Sequence, residues 1–197
     1  MTSTSTRIIA GVAALASAVV VSSCSKTEDH SAHVSSTTTT TSEQVAAHNA
    51  HDVMFTQMMI PHHQQAVELS ALVPDRSTNP AVVKLAATIS GEQQPEITAM
   101  KALLVQWEVD PNTASDHSDM PMDGMVDDAT MAKLQSLKGA EFDTLWLQSM
   151  TGPHQGAIAM AGGEAAAGQS ADMMKMAENM VTAQQAEIDQ MKKLLGG

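Results

Sequence analysis

The stretch QMMIPHHQQA, residues 57–66, recurs as QSMTGPHQGA at residues 148–157, an offset of 91 positions. The same offset aligns residues 51–104 with residues 142–195 without a gap. The shared positions include Asp, Gln, Met, His and Glu as well as Ala. A duplication that served packing alone would repeat mainly aliphatic residues. The repeat therefore indicates a functional site as well as a fold.

The chain from residue 44 onward has a helical composition. Ala, Leu, Met, Gln and Glu dominate this part, and the whole chain contains no Tyr and two Phe, a pattern that favours α-helices. Because the links within each repeat are short, each repeat is predicted to be an antiparallel hairpin. The two hairpins are predicted to form an all-α four-helix bundle with a pseudo-twofold axis. The predicted helices cover residues 44–73, 80–107, 140–166 and 171–195, with a short extra helix at 128–137.

The repeated polar residues share a helix face with the core. At about 100° per residue, they fall on one narrow stripe of the first helix and on its copy in the third. The two stripes contain Asp52, Met59, His63 and Ala66, and Asp143, Met150, His154 and Ala157. These side chains are therefore predicted to point into the bundle. Pro61 and Pro153 lie near the repeated histidines, where each is expected either to kink its helix or to end it.

The first 43 residues are predicted to be a targeting signal and a tether, and not part of the folded domain. Arg7 and the apolar run that ends just before Cys24 are typical of a bacterial lipoprotein signal peptide over residues 1–23, with Cys24 as the lipidated residue. Residues 24–43 are rich in Ser and Thr and predict a disordered tether. The protein is therefore expected outside the cytoplasm, anchored by lipid to the cell membrane, with its folded part at residues 44–197.

Charge, cysteine and methionine content narrow the classes of function. The formal net charge of −12 disfavours binding to nucleic acid, since like charges repel. Cys24 is the only cysteine, so a lipidated chain has neither a disulfide nor a thiolate ligand. The chain contains 16 Met and 8 His. Thioethers suit soft ions such as Cu(I) and Ag(I), and imidazole suits copper in general, so these side chains are the candidate ligands.

Three groups of Met and His are candidate metal ligands. The first is the repeated set on the inward stripe, Met59, His63, Met150 and His154. The carboxylates that would fix the imidazole tautomers of this set are Asp52, Asp143, Glu96 and Glu187. The second group lies beside the stripe on the first helix only: His51, Met54, Met58 and His62. The third lies in the Met-rich connection, residues 108–139: His117, Met120, Met122 and Met125.

Structural roles remain open for the repeated set. Met59 and Met150 would equally fill a core, and His63 would equally pair with a carboxylate for stability alone. The Met-rich connection differs, because the Pro, Gly and Asp residues between His117 and Met125 leave its methionines little core to join. The connection is therefore the most specific metal-binding signal in the chain. The alternative is a loop that packs a few of its methionines against the bundle.

Recognised catalytic motifs are missing from the sequence. Neither His63 nor His154 has a Glu three residues before it, as a di-iron carboxylate bundle requires. There is no cysteine nucleophile, no phosphate-binding glycine loop and no haem-attachment motif. The chain is therefore not expected to be an enzyme.

Asn49, residues 58–66 and the segment from Trp146 through residues 155–161 resemble the bacterial family called domain of unknown function 305. The resemblance covers about residues 45–195. It implies a ferritin-like four-helix bundle in secreted or lipid-anchored proteins, some of them associated with extracytoplasmic copper or silver handling. By position, the ligands it favours are Met58, Met59, His62 and His63, then Met150 and His154. The chain departs from the family where the usual second His-His pair reads Pro153-His154.

Together these features predict a surface lipoprotein that binds Cu(I), and also Ag(I), through Met and His. It would buffer the metal or exchange it with a copper donor or acceptor protein, while its lipid anchor holds it at the membrane. One alternative is a helical module that binds a cell-envelope partner without metal. A second alternative is a copper-dependent oxidoreductase in which copper cycles at His62 and His63.

Overall fold

Helices make up the fold of the part of the chain that the structure describes. The structure is a computed structural model and describes residues 47–112 and 124–196. In chain order the helices are α1 (Ala50–Ala71), α2 (Pro80–Gln106), α3 (Asp128–Ser136), α4 (Gly139–Ala167) and α5 (Ala171–Leu194), with a 3-10 turn at Val73–Asp75 between α1 and α2. The predicted all-α fold is confirmed, and the predicted extra helix is α3.

Several predictions fall on residues outside the described ranges. The signal peptide, the lipidated Cys24 and the Ser/Thr-rich tether all precede residue 47, and His117, Met120 and Met122 lie between residues 112 and 124. In the described ranges, no helix is both long and apolar enough to cross a membrane.

Polar side chains fix where the helices begin. The Asn49 side chain accepts hydrogen bonds from the backbone N–H groups of His51 and Asp52, and the Asp52 carboxylate accepts one from the N–H of Asn49. This reciprocal pair satisfies N–H groups that a helix end leaves free, so α1 begins at Ala50 rather than at the predicted residue 44. Asn79, Asp127 and Ser170 cap α2, α3 and α5 in a similar way.

The two repeats pack as antiparallel hairpins that meet through α1 and α4. α1 packs against α2 and α4 packs against α5, while α1 contacts α4 and α2 contacts α5. The side chain of Asn49, before α1, donates to the carbonyl of Ala167 at the end of α4, at 3.0 Å. The indole of Trp146, in the first half of α4, donates to the carbonyl of Leu69 near the end of α1, at 2.9 Å. α1 and α4 therefore run in opposite directions.

Two apolar clusters fill the bundle, one toward each end. The first cluster lies where α1 begins and α4 ends, and its larger members are Phe55, Met59, Ile60, Ile97, Met100, Leu103, Leu104, Trp107, Met173 and Met180. The second lies where α1 ends and α4 begins, and its larger members are Leu69, Leu85, Ile89, Leu134, Phe142, Trp146, Leu147, Met150 and Met191. The buried histidines and glutamines belong to neither cluster.

Both prolines lie inside continuous helices. Pro61 is within α1 and Pro153 is within α4. The alternative that the helices end at these residues is therefore wrong. Because proline has no N–H, the carbonyls of Gln57 and Ser149 lose their usual helical partner, and this happens beside the repeated histidines in both copies.

The end of the Met-rich connection is fixed across α1 and α4. The Gln65 side chain of α1 donates to the carbonyl of Val126 and accepts from its N–H, both at 2.8 Å. Gly124 has a φ of 89° and packs its backbone directly on Gly152 of α4. A Cβ at residue 124 would collide with the carbonyl oxygen of Gly152, so both the backbone conformation and the close approach require glycine there.

We expect Gly124→Ala to destabilise the domain. The left-handed conformation alone costs about 1–2 kcal/mol for a residue with a Cβ, and the collision with Gly152 adds to this cost. Gly162→Ala is the matched control, because a Cβ there meets nothing within 4 Å and Ala is favoured over Gly inside a helix by about 0.5–1 kcal/mol. Urea unfolding would give the two free energies. Equal effects of the two substitutions would contradict the described contact.

Candidate metal centre

A polar gap lies at the middle of the bundle, between the two apolar clusters. Its polar lining consists of His62 and His63 from α1, Gln93 from α2, His154 from α4 and Gln184 from α5. We call these five residues the central layer. Each of them is at most 3% exposed, and the gap between them is too narrow for a water molecule. The two repeats thus bring their inward polar residues to the same level.

The repeated histidines are each held by a glutamate from the neighbouring helix of their own hairpin. His63 Nε2 lies 2.7 Å from the Glu96 carboxylate, and His154 Nε2 lies 2.9 Å from Glu187. When the ring is neutral, Nε2–H donates to the carboxylate and Nδ1 carries the free electron pair. This carboxylate–imidazole arrangement is the one that commonly orients a histidine toward a metal ion, and it is the role predicted for Glu96 and Glu187.

The two carboxylates also make this region of the bundle negative. Partial desolvation, and then the charges of Glu187 and Glu96, raise the pKa of Glu92, an exposed residue that precedes Gln93 on α2. The negative charges of Glu96 and Glu187 therefore both act on Glu92, although the two glutamates belong to different repeats. A cation in the central layer would lie in a favourable potential.

Most of the buried side-chain N and O atoms that lack a partner in the described residues lie in the central layer. They are His62 Nδ1 and Nε2, His63 Nδ1, His154 Nδ1, Gln93 Oε1, and both polar atoms of the Gln184 carboxamide. A buried polar atom without a partner costs about 1–3 kcal/mol. Because native proteins pair nearly all such atoms, a concentration of them in one layer indicates a ligand.

His62 has no counterpart in the second repeat. Pro153 occupies the equivalent position, and both residues line the gap. Burial, and then the charge of His63, lower the pKa of His62 to about 4, while the backbone carbonyl of Pro153 acts in the opposite direction. The ring is therefore neutral at neutral pH, which is the form that binds metal.

Met59 and Met150 do not reach the central layer, contrary to the prediction. Met59 belongs to the first apolar cluster and Met150 to the second, and both are fully buried. A residue four positions before a histidine lies about 6 Å away along the helix axis. Because α1 and α4 are antiparallel, that step leads in opposite directions in the two repeats. The predicted set of two thioethers and two imidazoles is therefore not brought together, and only its histidines are.

Asp52 and Asp143 do not contact the repeated histidines either. The Asp52 carboxylate accepts from the backbone N–H groups of Asn49, Ser170 and Gln169, at 2.6, 2.9 and 3.1 Å. Burial alone would raise the pKa of Asp52, but these hydrogen bonds hold it below its usual value. Asp52 therefore joins the start of α1 to the start of α5. For Asp143, the buried Oδ1 atom has no partner in the described residues.

The second predicted group forms a line along α1 that we call the soft stripe: His51, Met54, Met58 and His62. The side chain of His51 is 33% exposed, and its Nδ1 lies 2.8 Å from the fully buried Glu164 of α4. Met54 and Met58 are partly buried, and His62 is buried. The stripe therefore leads from the surface at the start of α1 to the central layer.

Glu164 is an unusual carboxylate at the outer end of this stripe. Burial raises its pKa to about 7, the neighbouring Asp52 adds to that increase, and His51 opposes it. One of its oxygens contacts His51 while the other, Oε1, has no hydrogen-bond partner in the described residues. Glu164 is thus the third glutamate that contacts a histidine of the candidate groups.

The third predicted group is represented in the described residues by Met125 alone. Met125 is partly buried, and its neighbours Gly124 and Val126 are fixed to α4 and α1. The Met-rich connection thus rejoins the bundle next to Gly152 and Pro153, beside the residues that line the gap.

The donors of the central layer do not form a completed coordination site as they stand. In residues 47–112 and 124–196, no three His, Cys, Asp or Glu side chains are placed to hold one metal ion. In the described residues the three imidazoles line one gap without converging on a single point.

The family of the chain follows from its match to known proteins. The family model described as domain of unknown function 305 (DUF305) matches residues 52–195. The chain belongs to the DUF305 family. The predicted family is thus confirmed. No significant match was found among curated proteins.

Solved DUF305 structures share the fold. A DUF305 protein from Streptomyces coelicolor, assigned as secreted, is 35% identical with a TM-score of 0.70, over 74% of this chain and 92% of that one. A DUF305 fragment from Deinococcus radiodurans is 31% identical with a TM-score of 0.67, over 75% and 97%. CopM in its Cu(II)-bound form is 30% identical with a TM-score of 0.65, over 74% and 95%. CopM has also been solved with Cu(I) and with silver.

Three polar residues of this region are not among the ligands predicted from the sequence. Gln93 and Gln184 occupy equivalent positions in the DUF305 repeats, on the inward face of α2 and α5. Because both repeats have glutamine at this position, the sequence itself indicates that the pair belongs to the repeated polar set. Glu164 gave no such signal, because the equivalent residue of the first repeat is Val73. Only the fold brings Glu164 next to His51.

The low pKa of His62 predicts a loss of stability in acid. The unfolded chain takes up a proton at His62 below about pH 6.5, whereas the folded protein does so only near pH 4. Stability is therefore lost as the pH falls from 6.5 to 4, by up to about 3 kcal/mol. We expect His62→Gln to remove this part of the loss in metal-free protein. A difference in unfolding free energy between wild type and variant that is the same at pH 7 and pH 4.5 would contradict the assignment.

Proposed function

We propose that this protein is an extracytoplasmic lipoprotein that binds Cu(I), and also Ag(I), through Met and His side chains. It buffers the metal or passes it to a partner protein, and it does not catalyse a reaction. The observation that carries the binding of a metal is the central layer, where three buried histidines have ring nitrogens without a partner in the described residues and two of them are held by glutamates. A stability role alone would not leave those nitrogens free.

The histidines suit a metal ion in both protonation and charge. His62 is neutral at neutral pH because its pKa is about 4, so no proton competes for its free electron pair. His63 and His154 direct Nε2 to glutamates, which leaves Nδ1 for a ligand. A bound ion would therefore offset the cost of the unpartnered nitrogens, which is about 1–3 kcal/mol for each.

The soft stripe supports a preference for Cu(I) and Ag(I). Its methionines supply thioether sulfur, which is a soft ligand and needs no deprotonation. Its members are three or four residues apart, so they follow one face of α1. Met54 and Met58 are only partly buried, so an incoming ion reaches them without unfolding of the bundle. His62 belongs to both the stripe and the central layer, which joins the entry point to the interior.

The relatives support metal binding and a location outside the cytoplasm. Structures of CopM contain Cu(II), Cu(I) or silver, and the Streptomyces coelicolor relative is assigned as secreted. We extend both properties to this chain. The lipid anchor at Cys24 and the delivery of metal to a partner belong to the same proposal.

A Cu(I) titration against a competing chelator tests the proposal. The full-length chain, purified in detergent and carrying Cys24→Ser so that no thiol competes, is expected to bind Cu(I) and to gain thermal stability, because a ligand that binds only the folded state stabilises it. We expect Met54→Leu/Met58→Leu to weaken Cu(I) binding about tenfold or more, since both thioethers are removed.

The matched control is Met59→Leu/Met150→Leu. These two methionines are fully buried in the apolar clusters, and Met-to-Leu changes nearly conserve volume. The control should therefore bind Cu(I) as wild type does. A loss of affinity in the control would show that the core methionines are ligands after all. An absence of Cu(I) binding in the wild-type chain would favour a helical interaction module without metal.

A further inference from the structure

Two carboxamides occupy the central layer where a helical bundle would ordinarily have aliphatic side chains. Gln93 and Gln184 are each 3% exposed, and they lie on α2 and α5 at equivalent positions of the two repeats. Both face the same gap as the three histidines. Burying carboxamide atoms without hydrogen bonds is unfavourable, and in the described residues Oε1 of Gln93 and both polar atoms of Gln184 have no partner. The repeat has therefore kept a costly residue at the same place in both halves.

The carboxamides do not serve the histidines as hydrogen-bond partners. The Oε1 atoms of Gln93 and Gln184 have no partner in the described residues, and neither do the Nδ1 atoms of His63 and His154. If the glutamines oriented the rings, contacts between these groups would be present. That role is instead filled by Glu96 and Glu187. The carboxamide oxygens are thus free electron-pair donors that face the same space as the free imidazole nitrogens.

Among the described residues, the donors that line the gap are nitrogen and oxygen, without sulfur. Three imidazoles and two carboxamides line the gap, whereas Met59 and Met150 are packed in the clusters on either side. Imidazole nitrogen with oxygen donors suits divalent copper, and among the first-row divalent ions copper generally binds such sites most tightly. The donors themselves are uncharged, but the carboxylates of Glu96 and Glu187 contact two of the imidazoles. Their two negative charges would balance the charge of a divalent ion. The soft stripe has the opposite character because it contains two thioethers.

We propose that Gln93 and Gln184 are metal ligands, and that the central layer is a Cu(II) site while the soft stripe is the Cu(I) and Ag(I) site. This inference rests on the proposed copper-binding function and divides it between two places. The protein then accepts copper in either oxidation state, each at the donors that suit it. His62, which belongs to both places, is the point at which the two sites adjoin.

A Cu(II) titration of Gln93→Leu/Gln184→Leu tests the inference on the full-length Cys24→Ser chain in detergent. We expect Cu(II) affinity to fall about tenfold or more, with a change in the electron paramagnetic resonance spectrum of the bound Cu(II), while Cu(I) affinity stays as in wild type. The metal-free variant should melt at the same temperature or higher, because leucine removes three buried carboxamide atoms that have no partner in the described residues. That result would separate a ligand role from a structural one.

Two further variants complete the design. Gln94→Leu/Gln185→Leu is the matched control, because these exposed glutamines directly follow the buried pair on the same helices; it should bind Cu(II) as wild type does. Gln93→Glu/Gln184→Glu keeps an oxygen donor at each position, so it should retain Cu(II) binding. Met54→Leu/Met58→Leu should show the reverse pattern, with weakened Cu(I) and unchanged Cu(II).

The outcomes distinguish this inference from the proposed function. Wild-type Cu(II) affinity in Gln93→Leu/Gln184→Leu would overturn the ligand role of the carboxamides and leave copper binding intact. Equal losses of Cu(I) and Cu(II) in that variant would overturn the division between the two sites. A wild-type chain that binds Cu(I) but not Cu(II) would also overturn the inference alone, whereas a chain that binds neither ion would remove the proposed function as well.

Discussion

The antiparallel packing of α1 against α4 is the constraint on which the rest of the structure depends. Asn49 donates to the carbonyl of Ala167 at one end, and Trp146 donates to the carbonyl of Leu69 toward the other. With both ends fixed, the middles of the two helices are level. His63 and His154 consequently line one gap although they are 91 positions apart. The gap and the separation of the methionines both follow from this pairing.

The helices and their arrangement could be predicted from the sequence because their causes are local. Periodicity gave their extents, and in the structure the side chains of Asn79, Asp127 and Ser170 cap α2, α3 and α5. The repeat offset gave the symmetry of the two hairpins. The start of α1 was wrong by six residues, because apolar and helix-favouring residues continue upstream of the capping box at Asn49.

The candidate site could be predicted only in part. A helical wheel shows the direction of a side chain around the helix axis but not its position along the axis relative to other helices. Met59 and His63 share a stripe, and so do Met150 and His154, which made them look like one set. Opposite helix directions place the methionines in different apolar clusters. The contact of Glu164 with His51 joins residues 113 positions apart, and no periodicity carries such information. By contrast, the pairing of Glu96 and Glu187 with the histidines repeats at one spacing of 33 residues, and symmetry was enough to suggest it.

The central layer also determines how the two hairpins align. Both repeats have apolar faces of similar composition, so hydrophobic burial alone distinguishes poorly between one axial register and the next. A slip by one helical turn, about 5.4 Å, would move His62, His63 and Gln93 together out of level with His154 and Gln184. Each group would then lie against aliphatic side chains rather than beside other polar atoms, which is unfavourable. The residues that we assign to metal therefore also favour one axial register between the two hairpins. The two halves of the duplicated chain can pair in a single register because both contain these polar residues.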